Sequence, residues 1–96
     1  MPRIALAAGV VGDFDRILDH LEAHEVADAP SRINAIIEAI QVLETSPYIG
    51  RPADEDRREL IIGRGSRGYV ALYRYVTELD IVIVLAVRSQ REAGYR

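Results

Sequence analysis

Apolar side chains recur along the first half of the chain with a helical period. Phe14, Ile17, Leu18 and Leu21 stand at i, i+3, i+4 and i+7, which predicts a helix over 13–25 with Gly12 or Asp13 as its cap. After a polar break, Asp28 and Pro30 suit a second helix start, and Ile33, Ile36, Ile37, Ile40 and Leu43 hold the same period until Pro47 ends it. The short connection makes the two an antiparallel hairpin, each helix hiding one stripe. Ahead of them, the apolar run RIALAA at 3–8 precedes Gly9 and Gly12 and predicts a short first strand, although Ala and Leu suit a helix equally.

Beyond residue 46 the period changes. The stretch SPYIGRPADED is a loop by its Pro, Gly and acidic content. Strands are then predicted at 59–62, 69–76 and 81–87, separated by the turn GRGSRG and by 77–80. In the middle strand Tyr69, Ala71, Tyr73 and Tyr75 point one way, and Val70, Leu72, Arg74 and Val76 the other. The Val and Leu face is expected to pack on the helices and the tyrosine face to stay open. IVIVLAV at 81–87 is apolar on both sides, as in a strand covered twice. The expectation is an α+β fold: a short N-terminal strand, an antiparallel helical hairpin, then a three-stranded antiparallel meander, with the helices on one sheet face. One domain over 1–96 accounts for the length.

Charge divides the chain where the period does. Residues 1–56 hold 4 Arg against 11 Asp and Glu (net −7), and residues 57–96 hold 8 Arg against 4 (net +4), so the overall −3 hides a basic second half. Every basic residue is Arg, which excludes a lysine base, a Schiff base and a P-loop lysine. Cysteine is absent, so disulfide and thiolate chemistry are excluded and a reducing, cytoplasmic setting is expected. The N-terminal run carries no convincing cleavage context, and no apolar stretch approaches the ~20 residues of a membrane span.

Few residues offer chemistry. Gly63, Gly65 and Gly68 around Arg64 and Arg67 suit a phosphate cradle, or a hairpin turn that needs positive φ, and the turn is favoured because no helix start follows. Arg74 interrupts an apolar alternation, so it needs a carboxylate from the helices or a partner molecule. Arg88, Arg91 and Tyr95 give the tail a local positive excess with a stacking face. Tyr69, Tyr73 and Tyr75 form an aromatic stripe suited to covering the open sheet face or docking a protein segment. His20 and His24 have the i, i+4 spacing of a metal pair but no third ligand, so neither a metal nor another cofactor is expected. No Ser-His-Asp or Cys-His set is present.

The run RGYVALYRY…VIVLAVRSQREAGY resembles the RelE/ParE superfamily of toxins from bacterial type II toxin-antitoxin modules, and the tail is most similar to the ParE branch, once called plasmid stabilisation proteins. The resemblance implies a cytoplasmic antitoxin partner that lays its C-terminal segment over this chain. It also separates two activities. The RelE branch cuts messenger RNA in the ribosome with basic residues on the middle strands and a C-terminal Tyr or His. Here Val70 stands where that branch has Arg after Gly-Tyr, and Glu59, Ile61 and Ile62 replace its lysines, leaving Arg88, Arg91 and Tyr95 as the remnant of a catalytic set. The ParE branch implies a poison of DNA gyrase that makes and breaks no bonds itself, the favoured expectation. Arg64, Arg67, Arg88, Arg91 and Tyr95 would then meet the target, and Tyr69, Tyr73, Tyr75 and Arg74 the antitoxin. A homodimer or a toxin-antitoxin hetero-oligomer fits equally. The alternatives are a RelE-like ribosome-dependent endonuclease and a non-toxic binding module on the same scaffold.

Overall fold

The computed structural model describes residues 1–64 and 68–90. Strand β1 (Arg3–Leu6) leads into helices α1 (Ala8–Ala23) and α2 (Ala29–Ile40), a 3-10 turn (Gln41–Glu44), and strands β2 (Arg51–Pro52), β3 (Arg57–Ile62), β4 (Tyr69–Val76) and β5 (Ile81–Ser89). The five strands form one sheet in the order β1-β5-β4-β3-β2. The meander β2 to β5 is antiparallel, and β1 joins parallel to β5, with Arg3 opposite Ile81 and Leu6 opposite Val84. The predicted α+β architecture is the one observed.

Three departures from the sequence reading have local causes. Helix α1 starts at Ala8 instead of 13, because β1 ends at Leu6 once its partner strand has been matched, and Gly9 and Gly12 lie inside the helix. Asp13 is therefore not a cap but a residue of the second turn. The loop expected over 46–56 contains the two-residue strand β2, which pairs Arg51 with Glu59 and Pro52 with Arg58. The proline takes the sheet's outer edge, where its missing N–H costs no ladder bond.

The third departure concerns which side of β4 is buried. Tyr69, Ala71 and Tyr73 join the core with Leu60 of β3, Val82, Val84 and Val87 of β5, and the helix residues Val10, Ile17, Leu21, Ile36 and Ile40. The tyrosine face thus lies under the helices, and the face of Leu72, Arg74 and Val76 is the uncovered one, the reverse of the expectation. Cross-strand register explains it. Arg57 stands opposite Arg74, and Glu59 opposite Leu72, so three of the four charges of β3 and β4 share a face, while Arg58, opposite Tyr73, donates to the Tyr48 and Gly50 carbonyls. Hydration of those three favours placing their face toward water.

A bulge lets β5 serve the core along its whole length. Leu72 pairs with Ala86 and Tyr73 with Val84, so Leu85 is an extra residue on β5. The bulge shifts the alternation by one residue, which is how Val82, Val84 and Val87 all reach 0 % exposure. The apolar run on both faces, read in the sequence as double coverage, is a change of phase in a strand covered on one side.

Candidate functional site

The uncovered sheet face carries arginines around an apolar centre. One cross-sheet row runs Arg57, Arg74, Ile83, Ala5; the next runs Arg51, Glu59, Leu72, Ala86; a third runs Ile61, Val70, Arg88, and there Val70 is buried. Two arginines face each other directly in the first row, an arrangement that is unfavourable without countercharge. The loop between β2 and β3 supplies it. Asp56 Oδ2 accepts from Arg74 Nε at 3.1 Å and Nη2 at 2.8 Å, and Asp54 Oδ2 accepts from Arg57 Nη2. The partner of Arg74 is thus not the expected helix carboxylate but Asp56 of the acidic loop. Glu55, Asp56, Arg57, Arg74 and Leu85 line a shallow open depression here, beside which Arg57 Nε is buried and, among the described residues, unpaired.

The far end of β5 is held differently. Beyond Val84 the strand outruns β1, so among the described residues its edge has no neighbouring strand on that side. Asp13 fills the gap from α1. Its Oδ2 accepts the Val87 N–H at 2.9 Å, while Oδ1 accepts from Arg16 at 3.0 Å and Arg88 at 3.3 Å. At 8 % exposure it is the one buried charged residue among those described. A buried carboxylate is tolerated only when so satisfied. The sequence signal was available: Val10, Asp13, Ile17 and Leu21 share one helical stripe, and an acid inside an apolar stripe calls for a buried partner.

The tyrosines have separate roles. Tyr73 is fully buried; its hydroxyl donates to the Pro47 carbonyl at 2.9 Å and accepts the Gly50 N–H at 2.9 Å, pinning the loop ahead of β2. Burial pushes its pKa above the ordinary tyrosine value, outweighing the Gly50 bond and the nearby Arg58 charge. Gly50 is required at that contact, since a Cβ there would meet the Tyr73 ring and hydroxyl at 2.7 Å and the Glu59 carbonyl at 2.8 Å. Tyr69, 8 % exposed, is a core residue as well. The expected docking stripe is therefore corrected: Tyr69 and Tyr73 face the helices and offer a partner almost no surface. Tyr75 lies at the margin, donating to Asp80 Oδ1 at 2.6 Å, a bond that raises its pKa. Its ring meets exposed Tyr48 edge-on at 5.3 Å, and the Arg58 guanidinium lies 5.2 Å from the Tyr48 ring centre.

Of the other expected contacts, Arg64 is exposed in the β3–β4 turn, where Gly63 adopts φ 77°, the conformation that favours glycine. Arg67, Arg91 and Tyr95 lie outside the described residues. Arg64 and Arg88 occupy the same end of the sheet, the end where Ile62 pairs with Tyr69 and Tyr69 with Ser89; Arg74 and Tyr75 sit at the other. His20 and His24 stack at 4.2 Å, with His24 Nδ1 donating to the His20 carbonyl at 2.9 Å. Among the described residues no cluster of three metal-ligating side chains exists, and no helix is long and apolar enough to cross a membrane.

A two-helix layer on one face of a β1-β5-β4-β3-β2 sheet defines the fold class of the RelE/ParE toxins. The chain is similar to a protein of the chromosomal ParDE toxin-antitoxin system of P. aeruginosa, with TM-score 0.76 and 20 % identity over 93 % of this chain and 96 % of that one. Against the intact E. coli RelBE toxin-antitoxin complex the TM-score is 0.64 at 15 % identity, over 93 % of this chain and 96 % of that one. Against the isolated E. coli RelE toxin it is 0.62 at 14 % identity, over 93 % of this chain and 84 % of that one. No curated protein sequence matches. The family model of the ParE toxin of type II toxin-antitoxin systems, parDE, matches residues 4–94, and the chain belongs to that family.

Proposed function

We propose that this ParE-family toxin works in the cytoplasm by binding DNA gyrase and arresting it on cleaved DNA, with no bond chemistry of its own, and that a cognate antitoxin silences it by covering the open sheet face. The observation that carries this reading is the cross-sheet row Ile61, Val70, Arg88. A ribonuclease of the RelE type needs basic groups on these middle strands to stabilise charge on the phosphate in flight. In this chain the β3 and β4 positions of the row are aliphatic, and Val70 is only 4 % exposed. The arginines that the middle strands place on this face, Arg57 and Arg74, already hold carboxylates of the chain's own loop, an environment suited to binding an acidic segment. Arg88 and Arg64 supply exposed charge at the end of the sheet, and with Arg67, Arg91 and Tyr95 they make up the proposed target contact.

The antitoxin would place apolar side chains over Leu72, Ile83 and Leu85 and acidic ones against the surrounding arginines, complementary to a basic rim around an apolar centre. Purified toxin incubated with gyrase, ATP and supercoiled plasmid is expected to accumulate linear DNA with gyrase attached. Unchanged plasmid at micromolar toxin, together with codon-phased cuts by primer extension on translating ribosomes, would replace this reading with the endonuclease.

A further inference from the structure

The outer strands of the sheet are β1 and β2, and only β2 is guarded. It is two residues long, an arginine and a proline, which are devices by which an edge avoids other chains. The centre of β1 has neither: residues 4–6 are Ile, Ala and Leu, with Ala5 exposed and Leu6 48 % exposed. The ladder to β5 fixes where the backbone groups of β1 point. Arg3 N–H donates to the Asp80 carbonyl at 3.1 Å and Ala7 N–H to the Val84 carbonyl at 2.9 Å. By alternation the N–H and C=O groups of Ile4 and Leu6 point outward, where no strand among the described residues meets them. Beside this edge Ile4, Leu6, Ile37 and Ile40 line a groove of about 240 Å³, rimmed by Gln41 and Glu44. Unpaired backbone groups next to exposed apolar side chains invite an added strand.

We infer that a second copy of this chain takes that edge, β1 pairing antiparallel with β1 about a two-fold axis at Ala5. Self-complementarity selects this occupant, because a two-fold contact requires one segment to fit itself. The register puts both outward-pointing residues in hydrogen-bonded pairs, Ile4 opposite Leu6 of the second copy and Leu6 opposite its Ile4, each pair exchanging both N–H···O bonds. These side chains lie on the helix side, since Ile4 and Leu6 stand opposite the core residues Val82 and Val84, so Ile and Leu meet beside the groove. On the other side the axis passes between the two Ala5 residues. Their pair is the non-hydrogen-bonded one, where Cα atoms approach to about 4.5 Å and a small side chain fits. Arg3 falls opposite Ala7, so no like charges face each other. An axis perpendicular to the sheet leaves both helix layers on one side and both arginine-ringed faces on the other, so the pairing does not cover the proposed recognition surface. A four-residue strand makes a small contact, which places the dimer among weak, transient ones.

Sedimentation velocity of the purified protein, from micromolar to near-millimolar concentration, should show a monomer–dimer equilibrium. Leu6→Lys puts a charge at a half-exposed edge position and should weaken the dimer about tenfold or more, with an unchanged melting temperature. The lack of native cysteine allows a sharper reading from single cysteines. Ala5→Cys, with Cα atoms about 4.5 Å apart across the axis, should oxidise to a covalent dimer. Leu6→Cys, about 8 Å from its own copy, lies beyond the span of a disulfide and should stay uncoupled. A wild-type chain that is monomeric throughout overturns the inference, as does a dimer that Leu6→Lys leaves intact, or one in which Leu6→Cys cross-links as fast as Ala5→Cys. Should Leu6→Lys fold poorly, the cysteine pair decides alone. A monomer whose Ile4 and Leu6 N–H groups become protected from hydrogen exchange only with antitoxin bound also overturns it, and gives the edge to an antitoxin segment.

Discussion

The two faces of the sheet are built from the same strands and differ in what holds them. Under the helices, contacts are apolar and the buried polar side chains Tyr73 and Asp13 are hydrogen-bonded: Tyr73 uses its hydroxyl as both donor and acceptor, and Asp13 closes the strand edge. On the uncovered face, arginines ring Leu72 and Ile83: Arg57 and Arg74 are matched with Asp54 and Asp56 of a surface loop, and Arg51 with Glu59 of β3. The inner face has a single solution because its groups cannot turn to water. The outer face has exchangeable partners, since an acidic segment of another molecule can take the place of Asp54 or Asp56. Stability is thus concentrated on one side of the sheet, and the proposed recognition surface lies on the other.

The strongest challenge to that contrast is a matched pair of truncations at adjacent positions of β4. Tyr73→Ala should cost about 3–5 kcal/mol, by loss of a fully buried ring and of both hydroxyl bonds. Leu72→Ala, half-buried on the open face, should cost less than about 1.5 kcal/mol and instead weaken antitoxin binding. Urea unfolding and calorimetric titration measure the two quantities. Comparable stability losses would mean that the open face is as much a part of the core as the inner one.

Next in size are the polar fastenings of the inner face. Asp13→Ala leaves the Val87 N–H without its acceptor and should cost about 2 kcal/mol in chemical unfolding. Gly50→Ala forces a Cβ against the Tyr73 ring and the Glu59 backbone and should cost about 1–3 kcal/mol. If it proved harmless, the loop ahead of β2 would have to relax without losing the tyrosine anchor, which hydrogen exchange at Gly50 N–H would reveal.

The same contrast explains what could be read in advance. Helix period, turn chemistry and strand order fix the element sequence, because each depends on neighbours in the chain. The exposed side of β4 depends instead on register with β3. Tyr69, Ala71, Tyr73 and Tyr75 alternate with Val70, Leu72, Arg74 and Val76, and both sets are apolar enough to be inside. What decides is Arg57 and Glu59 landing on the side of Arg74, a fact about pairing. The Asp13 anchor spans 74 residues, and the sequence indicates only that an acid in the Val10–Ile17–Leu21 stripe needs a partner. Arg74 was legible as a charge in need of a carboxylate. That the carboxylate is Asp56, on a loop, was not, because loop position follows from the Tyr73 anchor and not from local pattern.

A smaller effect concerns the buried hydroxyl of Tyr73. With no lysine or cysteine, tyrosines are the side chains that titrate between about pH 8 and 12. Burial raises the Tyr73 pKa in the folded state. The unfolded chain therefore loses its proton first, and the stability Tyr73 contributes is complete below about pH 10 and is lost as pH rises through its folded-state pKa. Tyr73→Phe should cost about 1 kcal/mol at neutral pH and flatten the alkaline limb of the stability curve. An unchanged limb would mean that ionisation of other groups governs alkaline unfolding.

The smallest effect bears on the open face most directly. Asp56 and Arg74 form an exposed pair, 58 % and 44 % exposed at the side chain, so the pair is screened and Asp56→Asn should change stability by less than about 1 kcal/mol. If the uncovered face is a recognition surface, the same change removes an internal competitor and leaves Arg74 for an incoming carboxylate. Antitoxin affinity should then rise, and the gain should shrink as salt is raised through the physiological range. A stability loss well above 1 kcal/mol with unaltered affinity would reverse the assignment: the arginines would be fastening the acidic loop to the sheet, and the face would be outward without being a binding surface.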